Sequence, residues 1–570
     1  MTTFTAAPPA SPGTLVRRMA ELRELARSRR MAVDLEEPAA VAPAAPRPRR
    51  RWLAPLLIVV LLGQMAAAMV VTSVQQTPTI DEPVYVGTAV TYLEQHSLRY
   101  NPEHPPLGKL IMAAGLAFAQ PRLDPAFRGD QTDLGRHVLY EAGNDPYRLM
   151  FLARLPIILL TLLFGLVVFA FARDLAGPAA GVLALALYAF SPDVITHGSL
   201  ATLDVPAVGF LLTATWLVWR ARQRPLLYLP LAGVALGAAL ATRMSVLPAV
   251  PVLLMLAFLA LRRLRGLAAA AGVGVLAVAV VWLVYLAVDP ALRWAQPAGM
   301  PAETGLKGML VDWLPVPEAY RDGMRVQFAF ENSTFSGFLF GRHYQGSLWY
   351  YLPAALLVKT PLGLLVLWLA GTVTLLAVPR LRIAALYLLV LPAVLLAVAM
   401  TGSRDFGTRY VIFLPVFLAV AAGMVLTVRW RWAHIGAAAL ALFVAVSSLR
   451  TFPYYLPYSN EAFGGPAATH RYLHDSNVDW GQDLGRLADR LHQRYPGEPV
   501  WLVYKGAGVP SAYGITAKDP LKVPAADVRG LLVVSDSSIA KATGRLATLL
   551  RGSGDPIDEV GHSITIYRRP

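Results

Sequence analysis

LAPLLIVVLLGQMAAAMVVTSV (53–74) contains no charged side chain, and the residues just before it read RPRRRW (47–52). A helix needs about 20 mainly apolar residues to cross a bilayer, and arginine clusters mark its cytoplasmic end. Working outward from this stretch, comparable segments recur at 147–172, 178–196, 202–219, 226–243, 245–261, 267–288, 349–371, 382–400, 409–428 and 432–449. With the arginine-rich start inside, the inner loops fall at 173–177, 220–225, 262–266, 372–381 and 429–431. Four of these carry arginine in excess, and the fifth pairs Arg173 with Asp174. The short outer loops 197–201 and 401–408 are poorer in basic residues. This pattern predicts a mainly α, polytopic transmembrane helical bundle of about eleven spans in the cell inner (plasma) membrane, with the C-terminus outside.

Composition agrees with lipid as the main solvent. Of 570 residues, 56% are hydrophobic and 15% charged, against about 25% charged in soluble domains. The formal net charge of +15 lies largely in arginine clusters beside apolar runs. No nucleic-acid-binding motif accompanies them, so the expected partners are membrane lipids and no nucleic acid. The absence of cysteine excludes disulfides, thiol nucleophiles and cysteine metal sites. Residues 1–51, rich in Ala, Pro and Arg, read as a cytoplasmic tail, and the Ala- and Arg-rich style fits a bacterium with a GC-rich genome.

Residues 52–449 are expected to form the membrane domain, with two long outer loops, 75–146 and 289–348. The apolar stretch LIMAAGLAFA (110–119) is too short to span and predicts a helix at the membrane surface. Residues 450–570 change character. WLVY (501–504), GLLVVSD (530–536) and SITIYR (563–568) read as strands, with helices over 482–494 and 540–551 between them. The expectation is a small C-terminal α/β domain outside the membrane.

Ionisable groups near or within spans are costly and mark function. Under this topology they gather on the outer side. Asp81 and Glu82 follow the first span, and Glu103, His104 and Lys109 sit in NPEHPPLGK (101–109). Asp204 opens the fourth span, Arg243 ends the fifth, Lys359 lies in the outer half of the eighth, and Arg409 opens the tenth. Each has a plainer reading. Asp81 fits a helix N-cap, Lys109 fits a snorkelling lysine, and His104 fits a structural hydrogen-bonding residue. Only the convergence of acids and bases from separate places points to chemistry.

TIDEPVYVGTAVTYLEQHSLRYNPEHPPLGKL (79–110) resembles the first outer loop of lipid-carrier-dependent glycosyltransferases with the GT-C fold. That family, glycosyltransferase family 39, includes the protein O-mannosyltransferases and the aminoarabinose transferases of lipid A. GSLATLDVP (198–206) and GTRYVIFLP (407–415) look like its spans with a membrane-face Asp and an Arg-Tyr start. WYYLPAALLVKTPL (349–362) and DSNVDWGQDL (475–484) are similar to a bacterial branch of it. The resemblance implies an inverting transferase that moves a sugar from a polyprenyl-phosphate carrier to an acceptor hydroxyl on a glycan, lipid or protein. It implies Asp81 as general base, with Glu82 and Glu103 orienting hydroxyls. Arg409, with Arg243 or Lys359 and Lys109, would hold the phosphate. Tyr410 fits either a lipid groove or the interfacial aromatic belt. No cofactor is required by these residues, and a divalent metal at Glu103 and His104 stays open. The sequence lacks the inserted sugar-binding-like domain of the eukaryotic mannosyltransferases, and it has Glu-His where aminoarabinose transferases have Glu-Lys. A lipid-linked-sugar transporter or a non-catalytic scaffold would also place polar groups in membrane segments.

Overall fold

The computed structural model describes residues 52–570 apart from 262, 298, 302 and 304; the expected tail 1–51 lies outside the described residues. Each of the eleven expected segments carries helix. Among the described residues, six helices are long and apolar enough to cross a membrane: Leu53–Gln75, Pro146–Ala176, Pro225–Thr242, Leu264–Val288, Pro379–Ala399 and Arg431–Thr451. Two bent helix pairs raise the number to eight, and Asp204–Ala221, Ala249–Ala260 and Phe413–Gly423 account for the rest. Val59, Leu163, Val275, Leu369 and Leu442 point outward and exposed. In water such a surface would aggregate; facing hydrocarbon it costs nothing. The chain is a multi-pass integral membrane protein.

Two expected spans are not single straight helices. Segment 178–196 breaks at Phe190–Ser191 with a 65° bend, and 349–371 breaks after Lys359 with a bend of 118°. The second break has a sequence cause in Thr360-Pro361, because the residue before proline is driven out of the helical region. Carbonyls freed inside a membrane protein must find donors. Asn460 supplies them, its side-chain amide donating to Leu357 O (2.6 Å) and Thr360 O (2.8 Å).

The first long loop holds the helices Glu82–Glu94, Leu107–Leu116 and Gln131–Arg136. Proline in the first turn of Glu82–Glu94 suits the helix start, where its missing N–H costs nothing. Gly135 lets the third helix press on the first, since a Cβ there would overlap the Pro83 backbone. The second loop contributes the helix Glu318–Glu331 and an unanticipated hairpin, Ser336–Leu339 with Arg342–Gln345.

Beyond residue 450 the three expected strands appear as Val500–Val503, Gly530–Ser535 and Ile564–Arg569, with helices Leu484–Arg494 and Gly544–Arg551. An unexpected short strand, Asp558–Val560, completes the sheet at its edge. Val500–Val503 pairs parallel to Gly530–Ser535, which pairs antiparallel to Ile564–Arg569. This region is tied to the first loop by backbone bonds, Thr77 N to Gln482 O (2.9 Å) and Ile80 N to Trp480 O (3.0 Å).

Candidate active site

Asp81 occupies the N-cap position of Glu82–Glu94 but its side chain makes no cap hydrogen bond. It turns instead to Arg409, whose Nη1 donates to Asp81 Oδ2 at 2.5 Å. Arg409 lies in the 3-10 turn Thr408–Val411. Its Nε is buried without a partner, so the pair leaves donor capacity unused. The Asp81 side chain is 26% exposed and that of Arg409 10%. A carboxylate beside a guanidinium, both reachable from solvent, is a pair that a ligand can enter.

Three arginines converge on the Tyr410 ring. The guanidinium carbons of Arg409, Arg243 and Arg404 stand 5.1, 5.7 and 5.8 Å from its centroid. Each has its own carboxylate: Asp81 for Arg409, Asp204 for Arg243, and Glu331 for Arg404 at 2.5 Å. Arg404 Nε, like Arg409 Nε, is buried and unpartnered. Cations packed this closely repel one another in a low-dielectric setting. The arrangement is therefore suited to an anion that bridges them, and a phosphate matches guanidinium geometry.

His104 completes the rim, its ring edge-on to Tyr85 at 5.6 Å. Burial, then Arg243, Lys109, Arg404 and Arg409, hold its pKa well below the ordinary histidine value, so it is neutral. Glu103 is buried and accepts from Gln131 Nε2 at 2.8 Å, while its carbonyl accepts from Gln327 Nε2 at 2.9 Å. Among the described residues no three His, Asp or Glu side chains are grouped as metal ligands.

Other sequence-predicted residues are drawn into the scaffold. Glu82 is fully buried. Its Oε1 accepts from Arg154 Nε (2.7 Å) and Ala201 N (2.7 Å), and its Oε2 from Arg154 Nη2 (2.6 Å), Thr79 N (2.8 Å) and Thr79 Oγ1 (3.0 Å). No lone pair is left for a hydroxyl. Lys109 is fully buried, and its Nζ donates to Asn101 O (2.9 Å), Asn101 Oδ1 (3.1 Å) and His104 O (2.7 Å). Burial, opposed by Glu103, pushes its pKa down to about 7. It pins the EHPP turn and neither snorkels nor presents a free ammonium to phosphate. Lys359 ends the short helix at the 118° break, where its Nζ donates to Leu456 O (2.5 Å) and Asn477 O (3.0 Å) and stands 3.8 Å from Asp193.

Residues 58–297 match the family model described as dolichyl-phosphate-mannose-protein mannosyltransferase, a stretch that includes Asp81, Glu103, Asp204 and Arg243. Through these residues the chain is similar to that family. It is a membrane glycosyltransferase dependent on a lipid-phosphate sugar. No curated protein sequence matches the chain significantly. Among solved structures it is similar to ArnT from Cupriavidus metallidurans bound to undecaprenyl phosphate, at 15% identity and a TM-score of 0.46, covering 89% of this chain and 97% of that one. The Archaeoglobus fulgidus oligosaccharyltransferase in its apo form gives 13% identity and a TM-score of 0.45, over 79% of this chain and 59% of that one. The S. cerevisiae protein O-mannosyltransferase Pmt1-Pmt2 complex bound to the sugar donor gives 17% and 0.33, over 42% and 33%.

Sequence reasoning missed Arg154 and Arg404. Arg154 lies in the third turn of Pro146–Ala176, a helix of 31 residues and so about 46 Å long, well over the roughly 30 Å of hydrocarbon. An arginine there looks like an ordinary interfacial residue until Glu82 is found opposite it. Arg404 sits in a short outer loop, GSRDFGT (402–408), where nothing local separates it from any other loop arginine.

Proposed function

We propose that this transferase moves the sugar by direct in-line displacement on the outer membrane face, with Asp81 as general base and Arg409, Arg404 and Arg243 as the phosphate clamp. The observation that carries this reading is the partly exposed Asp81–Arg409 pair beside two further guanidinium groups on Tyr410. A polyprenyl-phosphate sugar is a phosphodiester. As the acceptor oxygen bonds to the anomeric carbon, the bond from that carbon to the phosphate oxygen breaks. Negative charge then builds on the departing lipid phosphate, where preorganised guanidinium groups stabilise it most. When the donor phosphate engages Arg409, the Asp81 carboxylate is released to take the acceptor hydroxyl proton. One displacement inverts the anomeric carbon, and the products are the glycosylated acceptor and a polyprenyl phosphate. Glu103, held by Gln131, orients hydroxyls of the sugar or acceptor.

Single-turnover transfer from a synthetic polyprenyl-phosphate sugar tests the assignment. A positioned base contributes about 10²–10⁴-fold, so Asp81→Asn should lose that much in rate while donor affinity changes little. Near-normal turnover in folded Asp81→Asn would remove Asp81 from the mechanism. Direct use of a soluble nucleotide sugar would remove the lipid donor. For orientation, the cysteine-free sequence allows single-cysteine labelling. Exposed Asp130, Arg342 and Asp519 should react from outside, and Arg222 and Arg263 only after permeabilisation. Labelling of Asp519→Cys from the cytoplasmic side alone would reverse the sidedness.

A further inference from the structure

The segment DSNVDWGQDL (475–484) lies far from both partners of the Asp81–Arg409 pair in sequence, yet it touches the chain just before each. Asn477 Oδ1 accepts from Thr408 N at 3.1 Å, one residue before Arg409, and Asn477 Nδ2 donates to Tyr351 OH at 3.0 Å. Trp480 O accepts from Ile80 N at 3.0 Å, one residue before Asp81. The segment fits closely: Ser476 Oγ donates to Phe406 O at 2.7 Å, and a Cβ on Gly407 would overlap Ser476 Oγ. Only glycine permits that approach.

Trp480 is the member that reaches the arginine itself. Its ring is almost fully buried, and the Arg409 guanidinium carbon lies 4.3 Å from its centroid, nearer than to Tyr410. The indole is fixed from behind. Trp480 N donates to Gln482 Oε1 at 2.8 Å, Gln482 O accepts from Thr77 N at 2.9 Å, and Leu200, Leu456 and Ile80 pack around the ring.

We propose that Trp480 is a positioning residue for the donor phosphate, acting through Arg409. Its aromatic face holds the guanidinium plane while its carbonyl holds the loop that carries Asp81. This rests on the reading that Arg409 binds that phosphate. A buried aromatic face attracts a cation and leaves the in-plane N–H groups free. A guanidinium already confined to one plane gives up less side-chain entropy when it binds. Because the indole acts through Arg409, its effect belongs to donor binding and not to the proton transfer at Asp81.

The test uses the full-length enzyme with a synthetic polyprenyl-phosphate sugar. Trp480→Leu fills the apolar pocket without an aromatic face, and Trp480→Phe keeps the face. Trp480→Leu should raise the donor KM about ten- to thirty-fold, the scale of a desolvated cation–π contact, with kcat within a few-fold. Trp480→Phe should return KM to within about threefold of the unaltered enzyme. In an Arg409→Ala background, Trp480→Leu should add less than about threefold. Equal KM values for the Leu and Phe variants, or full additivity with Arg409→Ala, would overturn the inference and leave the phosphate reading intact. An unchanged donor KM in Arg409→Ala alone would overturn the phosphate reading and this inference with it.

Discussion

Asp81 and Glu82 are adjacent carboxylates at the start of one helix, and each holds an arginine from elsewhere in the chain. The resemblance ends there. Glu82 and Arg154 are sealed from solvent. Five donors converge on the carboxylate, and Arg154 spends its remaining hydrogens on Ser73 O, Gln76 O and Thr77 O. Asp81 and Arg409 share one hydrogen bond, keep partial exposure and leave Arg409 Nε unused. The first pair is saturated and holds the end of the first helix against the loop. The second has spare capacity, which a reaction centre needs. Charge pairing alone does not mark a site; what remains unpaired after it does.

Substitutions on the two sides should separate cleanly. The largest effect on rate belongs to Asp81→Asn, with the fold intact. Glu82→Gln should do its damage to folding, because removing one partner strands a buried Arg154, a loss of about 3–5 kcal/mol. Thermal unfolding in detergent reads this directly. Glu82→Gln that melts normally but turns over slowly would merge the two pairs into one functional unit. Pairing it with Arg154→Met removes the stranded charge, so the double variant should cost less than the sum of the singles. Recovery should be partial, because three backbone carbonyls lose their donor.

The phosphate clamp sharpens the comparison at smaller scale. Arg409→Ala should raise the donor KM by about 10- to 100-fold, as expected for a charge-assisted contact of roughly 1.5–3 kcal/mol. Arg409→Lys should lose less, since it keeps the charge and forfeits the bidentate fit. Arg404→Ala should show the smallest loss, because its guanidinium is shared with Glu331 and Gln327. Initial rates over a range of donor concentrations give the order; a larger loss at Arg404 than at Arg409 would move the centre of the clamp.

Much of this protein was legible in the order of its residues. Hydropathy and arginine placement located the helical segments, and alternation beyond residue 500 located three of the four C-terminal strands. The 118° break was written in Thr360-Pro361 but passed unread, because apolar composition continues through it. The hairpin at 336–345 was too short for periodicity to register. Asp81, Asp204, Arg243 and Arg409 were singled out by their cost near a membrane, and the structure brings them together around Tyr410 and its neighbours.

The sequence by itself determined where helices and strands form, because hydropathy and backbone preference act over a few neighbouring residues. It also determined which ionisable groups would have to be accounted for near lipid. Tertiary structure decided which of them are spent. Glu82 meets Arg154 across 72 residues and Asp81 meets Arg409 across 328, and Trp480 reaches both sides of the second pair from the C-terminal region. Whether a buried polar group is saturated depends on partners at such distances, and no local pattern encodes them. Composition therefore supplied the candidates, and three-dimensional hydrogen bonding divided them into saturated groups and those with spare capacity.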